Sequence, residues 1–169
     1  ARFQDVYGPG EILGAGYWRG TTATVWRNVT PTFIYRALRR LPLLVENEGR
    51  VSRDFIHVDD IVRGLLLCAT DGTPGDVYNL ASGVETCIRD LATMINRMTK
   101  NPVSIEYLPR RAWDHAGKRV GSTEKSLRQL GFTASISLVQ GLEETIRWTN
   151  ENLPVIERCI QKHAGRIAA

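Results

Sequence analysis

The strongest constraint on this chain is the way short apolar runs alternate with stretches of helical period, punctuated by glycine and proline. Arg2 to Tyr7 reads as a strand closed by the turn signal Gly8-Pro9-Gly10. Thr30-Pro31 reads as an N-cap and first-turn proline that open a helix running to about Arg40. Leu43-Leu44-Val45, a polar turn around Glu48-Gly49, and Arg53 to Val58 read as a hairpin. Asp59 or Asp60 should cap the next helix, whose apolar face is Ile61, Val62, Leu65, Leu66 and Ala69, with Gly72-Thr73-Pro74-Gly75 as its stop.

Val77 to Leu80 then reads as a short buried strand ended by Ser82-Gly83, and Ile88, Leu91, Ala92, Ile95 and Met98 repeat at helical spacing. Val103 to Leu108 is another strand, followed by a basic loop over 109–121. A short helix with Leu127 and Leu130 stops at Gly131, and Ser137 with Gln140 forms a capping box ahead of Leu138, Leu142 and Ile146. Pro154 sets off a last helix from Val155 to His163. Strands alternating with helices predict an α/β fold with some parallel pairing.

The 169 residues fit one domain, and 43% apolar with 24% charged residues describes a globular chain rather than a disordered one. No apolar run approaches the roughly 18 residues of a membrane span, and the opening residues lack a signal-peptide layout. Cys68, Cys87 and Cys159 have no metal-ligand spacing, which fits a reduced, cytoplasmic protein; Cys68 and Cys87 fall within helical patterns and read as core residues. A net charge of +4 is too mild for a nucleic-acid module but suits an anionic small molecule. The basic residues gather as Arg36, Arg39 and Arg40, and as Arg110, Arg111, Lys118 and Arg119; the plain reading of each cluster is a solvated face.

Several chemistries drop out. Gly14-Ala15-Gly16-Tyr17-Trp18-Arg19-Gly20 is one residue too long for a dinucleotide fingerprint and does not join a strand to a helix, so residues 8–27 read as a mobile substrate-facing loop. His57, His115 and His163 lack the surroundings of a hydrolase or zinc site, and Asp59-Asp60 is explained more simply as a cap than as a paired acid.

Six segments, in order, resemble the second half of the extended short-chain dehydrogenases, the nucleotide-sugar epimerases and dehydratases. Arg2 to Gly10 is similar to the family's R-x-x-N-V-Y-G-P strand and turn, and Asn28-Val29-Thr30-Pro31 to its N-x-x-P helix start. Arg53 to Asp60 resembles R-D-(F/Y/W)-I-H-V-x-D, and Val77 to Gly83 resembles V-Y-N-(L/I)-G-S-G. Arg110-Arg111-Ala112-Trp113-Asp114 is similar to R-R-x-G-D, and Leu130-Gly131-Phe132 to L-G-(W/F).

The resemblance implies the C-terminal part of a Rossmann-type enzyme. The strands near 2–7 and 77–80 would lie in the Rossmann sheet, and the rest of 1–169 largely in the smaller substrate-binding lobe. It implies NAD, held mainly by an N-terminal half, transient oxidation to a 4-keto sugar, and a homodimer for the full-length enzyme only. The five tyrosines have Glu11, Thr21, Arg39, Ser82 and Arg111 four residues on, so the family's catalytic Tyr-x-x-x-Lys is absent from this sequence. With Ala1 in place of Met, the expectation is a fragment that is inactive alone and poorly self-sufficient as a fold.

By the same resemblance Arg53 and Arg111 would grip the substrate pyrophosphate, their forks matching phosphate oxygens. Asp114 would fix Arg111 or touch a ribose hydroxyl. Asn28 would bond the phosphate or base, or simply lead into its helix; Leu44 to Glu46 would flank the base. Phe3 would lie near the nicotinamide, or in the strand core. Asp5 stands where the family usually has Asn, and an ionised carboxylate can only accept, so it must turn away or weaken phosphate binding. Glu46, where many relatives carry an aromatic, offers no stacking face. The functional readings are the nucleotide-sugar binding portion of an NAD-dependent epimerase or dehydratase, or a non-catalytic nucleotide-sugar binding or scaffold domain.

Overall fold

A computed structural model describes residues 1–11, 28–110 and 117–167, with side chains described up to 162. The first elements are β1 (Arg2–Phe3), β2 (Asp5–Tyr7), α1 (Val29–Leu38), β3 (Leu44–Glu46), β4 (Ser52–His57) and α2 (Val58–Thr70). They are followed by β5 (Asn79–Leu80), β6 (Glu85–Cys87), α3 (Ile88–Met98), β7 (Glu106–Leu108) and β8 (Lys118–Arg119). Three helices complete the order: α4 (Glu124–Leu130), α5 (Leu138–Glu151) and α6 (Leu153–Ile167).

β4 organises the chain. β2 pairs with it in parallel, Asp5 opposite Phe55 and Tyr7 opposite His57; β8 pairs in parallel with its start, and β6 antiparallel. β1–β5 and β3–β7 are also parallel pairs. Parallel pairs need long crossovers, and here helices supply them: α1 lies between β2 and β4, and α2 and α3 between β3 and β7. The α/β expectation holds, with more parallel pairing than the sequence implied. The opening strand divides at Gln4, sending β1 to β5 and β2 to β4.

Side chains alternate across β4, so the strand separates two cores. Phe55 joins Tyr7, Phe33, Val45 and Leu91 on one side. Ile56 joins Tyr78, Leu80 and Phe132 on the other. Asp54 is buried among backbone donors: Ser82 N at 2.8 Å, Gly83 N at 2.9 Å and Gly121 N at 3.3 Å, with Ser82 Oγ at 2.7 Å. One carboxylate thus ties β4 to the turn after β5 and to the segment just past β8.

Several local expectations are corrected. The hairpin does not form, because β3 pairs with β7 while β4 takes β2, β6 and β8. Asn47, Glu48 and Gly49 all have positive φ (50°, 52° and 67°), and this single 3-10 turn carries the chain out of one sheet into the next. Gly49 is required there: a Cβ would stand 2.6 Å from Arg89 Cβ. Asn28, not Thr30, is the N-cap of α1, and Thr30 is buried inside the first turn.

His57 caps α2, its Nδ1 accepting from Asp59 N at 3.3 Å, so neither aspartate is the cap. The apolar face of α2 is displaced too. Asp60, Ile61 and Gly64 are buried, whereas Val62, Leu65 and Leu66 are 52%, 40% and 63% exposed. Gly64 selects this stripe, because only a residue without Cβ can approach Leu80 and Phe132 so closely. Asp60 joins it because its carboxylate accepts from Ser135 N at 3.0 Å, Ile136 N at 2.9 Å and Arg63 at 2.7 Å.

Val77 is exposed outside β5, with Tyr78 and Leu80 buried, so that strand is one-sided rather than buried throughout. Leu127 is exposed and Leu130 carries the burial of α4. Cys87 lies on β6 and is half-buried, as is Cys68; all three cysteines are free. The α4 stop at Gly131 (φ 62°) and the Ser137–Gln140 capping box form as expected. No helix among the described residues is long and apolar enough to cross a membrane.

Candidate active-site cleft

A cavity of about 490 Å³ opens where the start of α1, the start of β2, β3 and the first half of β4 converge. Val29, Phe33, Phe55 and Ile88 give it apolar surface. Its polar wall carries Asp5, Asn28, Glu46, Arg53, Arg110 and Arg119. Four of the residues singled out in the sequence, Asn28, Leu44, Glu46 and Arg53, therefore meet in one place from three separate segments. Arg111 and Asp114 lie outside the described residues, as does most of the glycine-bearing loop read over 8–27.

Each lining residue arrives for a local reason. Asn28 sits at the N-cap of α1 in extended geometry and its amide donates to the Glu11 carboxylate, while its carbonyl accepts from Thr32 Oγ1 at 2.7 Å. Leu44 and Glu46 leave the same face of β3 by the two-residue repeat. Arg53 is held firmly: Nη1 donates to Ser52 O at 2.8 Å and to Gly117 O at 3.0 Å, and Nε lies 3.5 Å from Asp5 Oδ2. Its ion-pair partner is thus Asp5, from the neighbouring strand β2.

Asp5 does not turn away. It lines the cavity, and burial against the wall raises its pKa above the ordinary carboxylate value, with Arg53 and Arg119 pulling it back only in part. Phe3 is absent from the cavity lining and 49% exposed on β1, so it is not a strand-core residue.

Residue pattern alone gives Arg110 and Arg119 no role beyond membership of a basic cluster. The structure divides that cluster: Lys118 bonds Glu85 on one side of β8, while Arg119 faces the cavity. Glu85 is held below the usual carboxylate range by its hydrogen bonds from Lys118 and Ser52. Alternation along 118–119 was the available signal, but it is meaningful only once β8 is known to be a strand. The other basic cluster is also more than a solvated face. Arg36 Nε donates to Pro42 O at 2.6 Å, Arg39 pairs with Glu157 at 3.2 Å, and Arg40 binds the carbonyls of Thr99 and Lys100. Arg36 and Arg40 fasten the end of α1 to neighbouring backbone, and Arg39 ties it to a carboxylate of α6. Among the described residues no His, Cys, Asp and Glu group has the arrangement of a metal site.

Parallel strands with helical crossovers, and a cleft lined by guanidinium groups, define an α/β protein of Rossmann-like fold. The chain belongs to the extended short-chain dehydrogenases, the NAD-dependent epimerase/dehydratase family, whose pattern matches residues 1–81. A solved structure similar to it is the Bordetella bronchiseptica enzyme WbmF in complex with NAD+ and UDP. That protein is 61% identical with a TM-score of 0.89, over 99% of this chain and 50% of the other.

Among curated proteins, the UDP-N-acetyl-alpha-D-glucosaminuronate decarboxylase of Bacillus cytotoxicus is 27% identical over 155 residues, 89% of this chain and 45% of its own length. The dTDP-glucose 4,6-dehydratase of Actinoplanes is 30% identical over 123 residues, 72% of this chain and 38% of its own. The chain spans about half the length of the relatives it matches.

Proposed function

We propose that this chain supplies the nucleotide-sugar binding portion of an NAD-dependent nucleotide-sugar epimerase or dehydratase. The observation that carries the reading is the convergence of Asn28, Leu44, Glu46 and Arg53 on one cleft, joined there by Arg110 and Arg119. A nucleoside diphosphate needs an apolar slot for its base and guanidinium forks for its phosphates, and the cleft has both. The base would lie against Leu44 to Glu46, the diphosphate toward Arg53, and Arg111 and Asp114 would complete the phosphate and ribose contacts by family resemblance. A relative described with UDP bound supports the ligand class.

The reaction belonging to this reading is oxidation of the sugar at C4 to a ketone, followed by reduction or by change at a neighbouring carbon. NAD, when bound, accepts and returns the hydride. From this chain, Phe3 fits that cofactor as a half-exposed aromatic surface at the edge of β1, the strand that with β5 would belong to the Rossmann sheet. The remaining NAD contacts and the proton-transferring tyrosine would come from an N-terminal half of the same enzyme, which would dimerise only at full length.

A second reading is a non-catalytic nucleotide-sugar binding or scaffold domain, which would use the same cleft. Calorimetric titration of the natural-length protein with UDP and dTDP tests the shared ligand class; affinity for neither would refute both. Turnover of a nucleotide-sugar by that protein, with transient NADH absorbance, separates the enzyme from the scaffold.

A further inference from the structure

Arg119 stands directly across from Arg53 in the parallel β4–β8 pair, so the two side chains leave the same face of the sheet. Both line the cavity. Like charges at cross-strand positions repel each other unless an anion sits with them. Asp5 is that anion. It projects from β2 onto the same wall, with Oδ2 3.5 Å from Arg53 Nε, and Arg119 also acts on its charge.

The two arginines are not equivalent. Arg53 is only 14% exposed, and its Nη1 is committed to the carbonyls of Ser52 and Gly117. Gly117 O also accepts from Ser52 N at 3.3 Å, so Arg53 fixes the register of the strap that carries Arg119. Gly121 N, bound to the buried Asp54, anchors the same strap from its other end. Arg119 itself is exposed and makes no hydrogen bond or ion pair among the described residues. Hydrogen bonds at both ends of the strap thus place a guanidinium that makes none itself among the described residues.

We propose that Arg119 and Arg53 form a two-guanidinium seat for a diphosphate, in which the Asp5 carboxylate is a built-in competitor that the diphosphate displaces. The identity of the ligand rests on the nucleotide-sugar reading above; the geometry of the seat does not. Arg53 is the positioning residue, and Arg119 is the one free to turn its fork onto phosphate oxygens. Asp5 keeps the paired cations compensated, and displacing it costs part of the binding free energy. It therefore acts as a specificity residue, disfavouring anions too weakly charged to take its place.

The test is calorimetry on the natural-length protein with UDP, dTDP and inorganic pyrophosphate as probes. Arg119→Ala should weaken UDP or dTDP binding by about 10- to 150-fold, the range of a charge-assisted hydrogen bond. Arg119→Lys should recover part of the loss, and the thermal midpoint of Arg119→Ala should match wild type. Asp5→Asn should change affinity in the opposite direction, tightening it by roughly three- to tenfold as one repulsive charge is removed at high effective dielectric. If UDP binds and Arg119→Ala leaves its affinity unchanged, or Asp5→Asn weakens it, the seat is refuted while the nucleotide-sugar reading stands. If UDP and dTDP bind no more tightly than pyrophosphate, yet the variants shift pyrophosphate in the stated directions, the seat stands and the nucleotide-sugar reading fails.

Discussion

Gly141 lies so close to Tyr7 that a Cβ placed on it would stand 2.2 Å from the phenol oxygen and 2.9 Å from His57 Cδ2. The contact seats α5 directly on the ends of β2 and β4, the two strands that carry Asp5 and Arg53 into the cleft. Tyr7 donates to Leu138 O at 3.4 Å, and its ring meets His57 edge-on at 5.5 Å. Burial, with Asp60 and Glu144 nearby, pushes the Tyr7 hydroxyl's pKa well above its ordinary value, so it stays a neutral donor.

Gly141→Ala is therefore expected to destabilise the protein despite alanine's better helix propensity. Overpacking typically costs about 1–3 kcal/mol, and neither buried ring can move aside, so the loss should outweigh the gain of about 1 kcal/mol from propensity. Chemical denaturation should show a lower midpoint with an unchanged slope. A midpoint at or above wild type would mean that α5 is free to shift.

Asp60 holds Ser135, Ile136 and Arg63 from a buried position on α2. Burial alone would raise its pKa, but the bonds from Ile136 N, Arg63 and Ser135 outweigh it and hold the carboxyl below its ordinary value of 3.8. A lowered folded-state pKa adds stability above the unfolded value and loses it as pH falls through the folded one. Asp60→Asn should cost about 2–4 kcal/mol at neutral pH, since it removes charge-assisted bonds and leaves donors mismatched. The gap from wild type should narrow below about pH 4. A gap independent of pH in urea melts would show that the charge of Asp60 contributes nothing.

For the phosphate grip, Arg53→Ala and Arg111→Ala are each expected to weaken nucleoside-diphosphate binding by about 10- to 150-fold. Arg111→Lys keeps the charge but loses the fork and should recover only part of the affinity. Arg128→Ala, exposed on α4 away from the cleft, is the control and should bind like wild type. Calorimetry on the natural-length protein decides; wild-type affinity in both arginine variants would leave the cleft without its assigned ligand.

The 169-residue chain expressed alone is expected to show no epimerase or dehydratase turnover and to self-associate. Val62, Leu65 and Leu66 form an exposed apolar strip on α2, of the kind that drives association. Light scattering over a hundredfold range of concentration, about 1–100 μM, should show growing mass, and Leu66→Glu should reduce it. A monomer at every concentration would overturn the second expectation, and NAD-dependent turnover the first.

Local signals carried a definite share of this structure. The Ser137–Gln140 box, the Gly131 stop and the spacing of Leu91, Ala92 and Ile95 concern groups within one or two turns of each other, and each forms as its residues dictate. The α/β class follows from the same periodicities. The motif residues Asn28, Leu44, Glu46 and Arg53 were legible through resemblance, and they share one cleft.

What tertiary structure alone decided is which of several locally permissible arrangements is realised. Leu43 to Val58 could have closed as a hairpin, but β4 gains more hydrogen bonds by pairing with β2, β6 and β8, and three left-handed residues divert the chain. The buried face of α2 turned on Gly64 meeting Leu80 and Phe132, and on a carboxylate whose backbone donors lie more than seventy residues away. Arg119 acquired its place only through the register of β8 on β4. Hydrogen bonds and periodicity within a turn or two are written into neighbouring residues. Strand partners, register and buried charge depend on contacts between distant segments, so they are settled only when the whole chain packs.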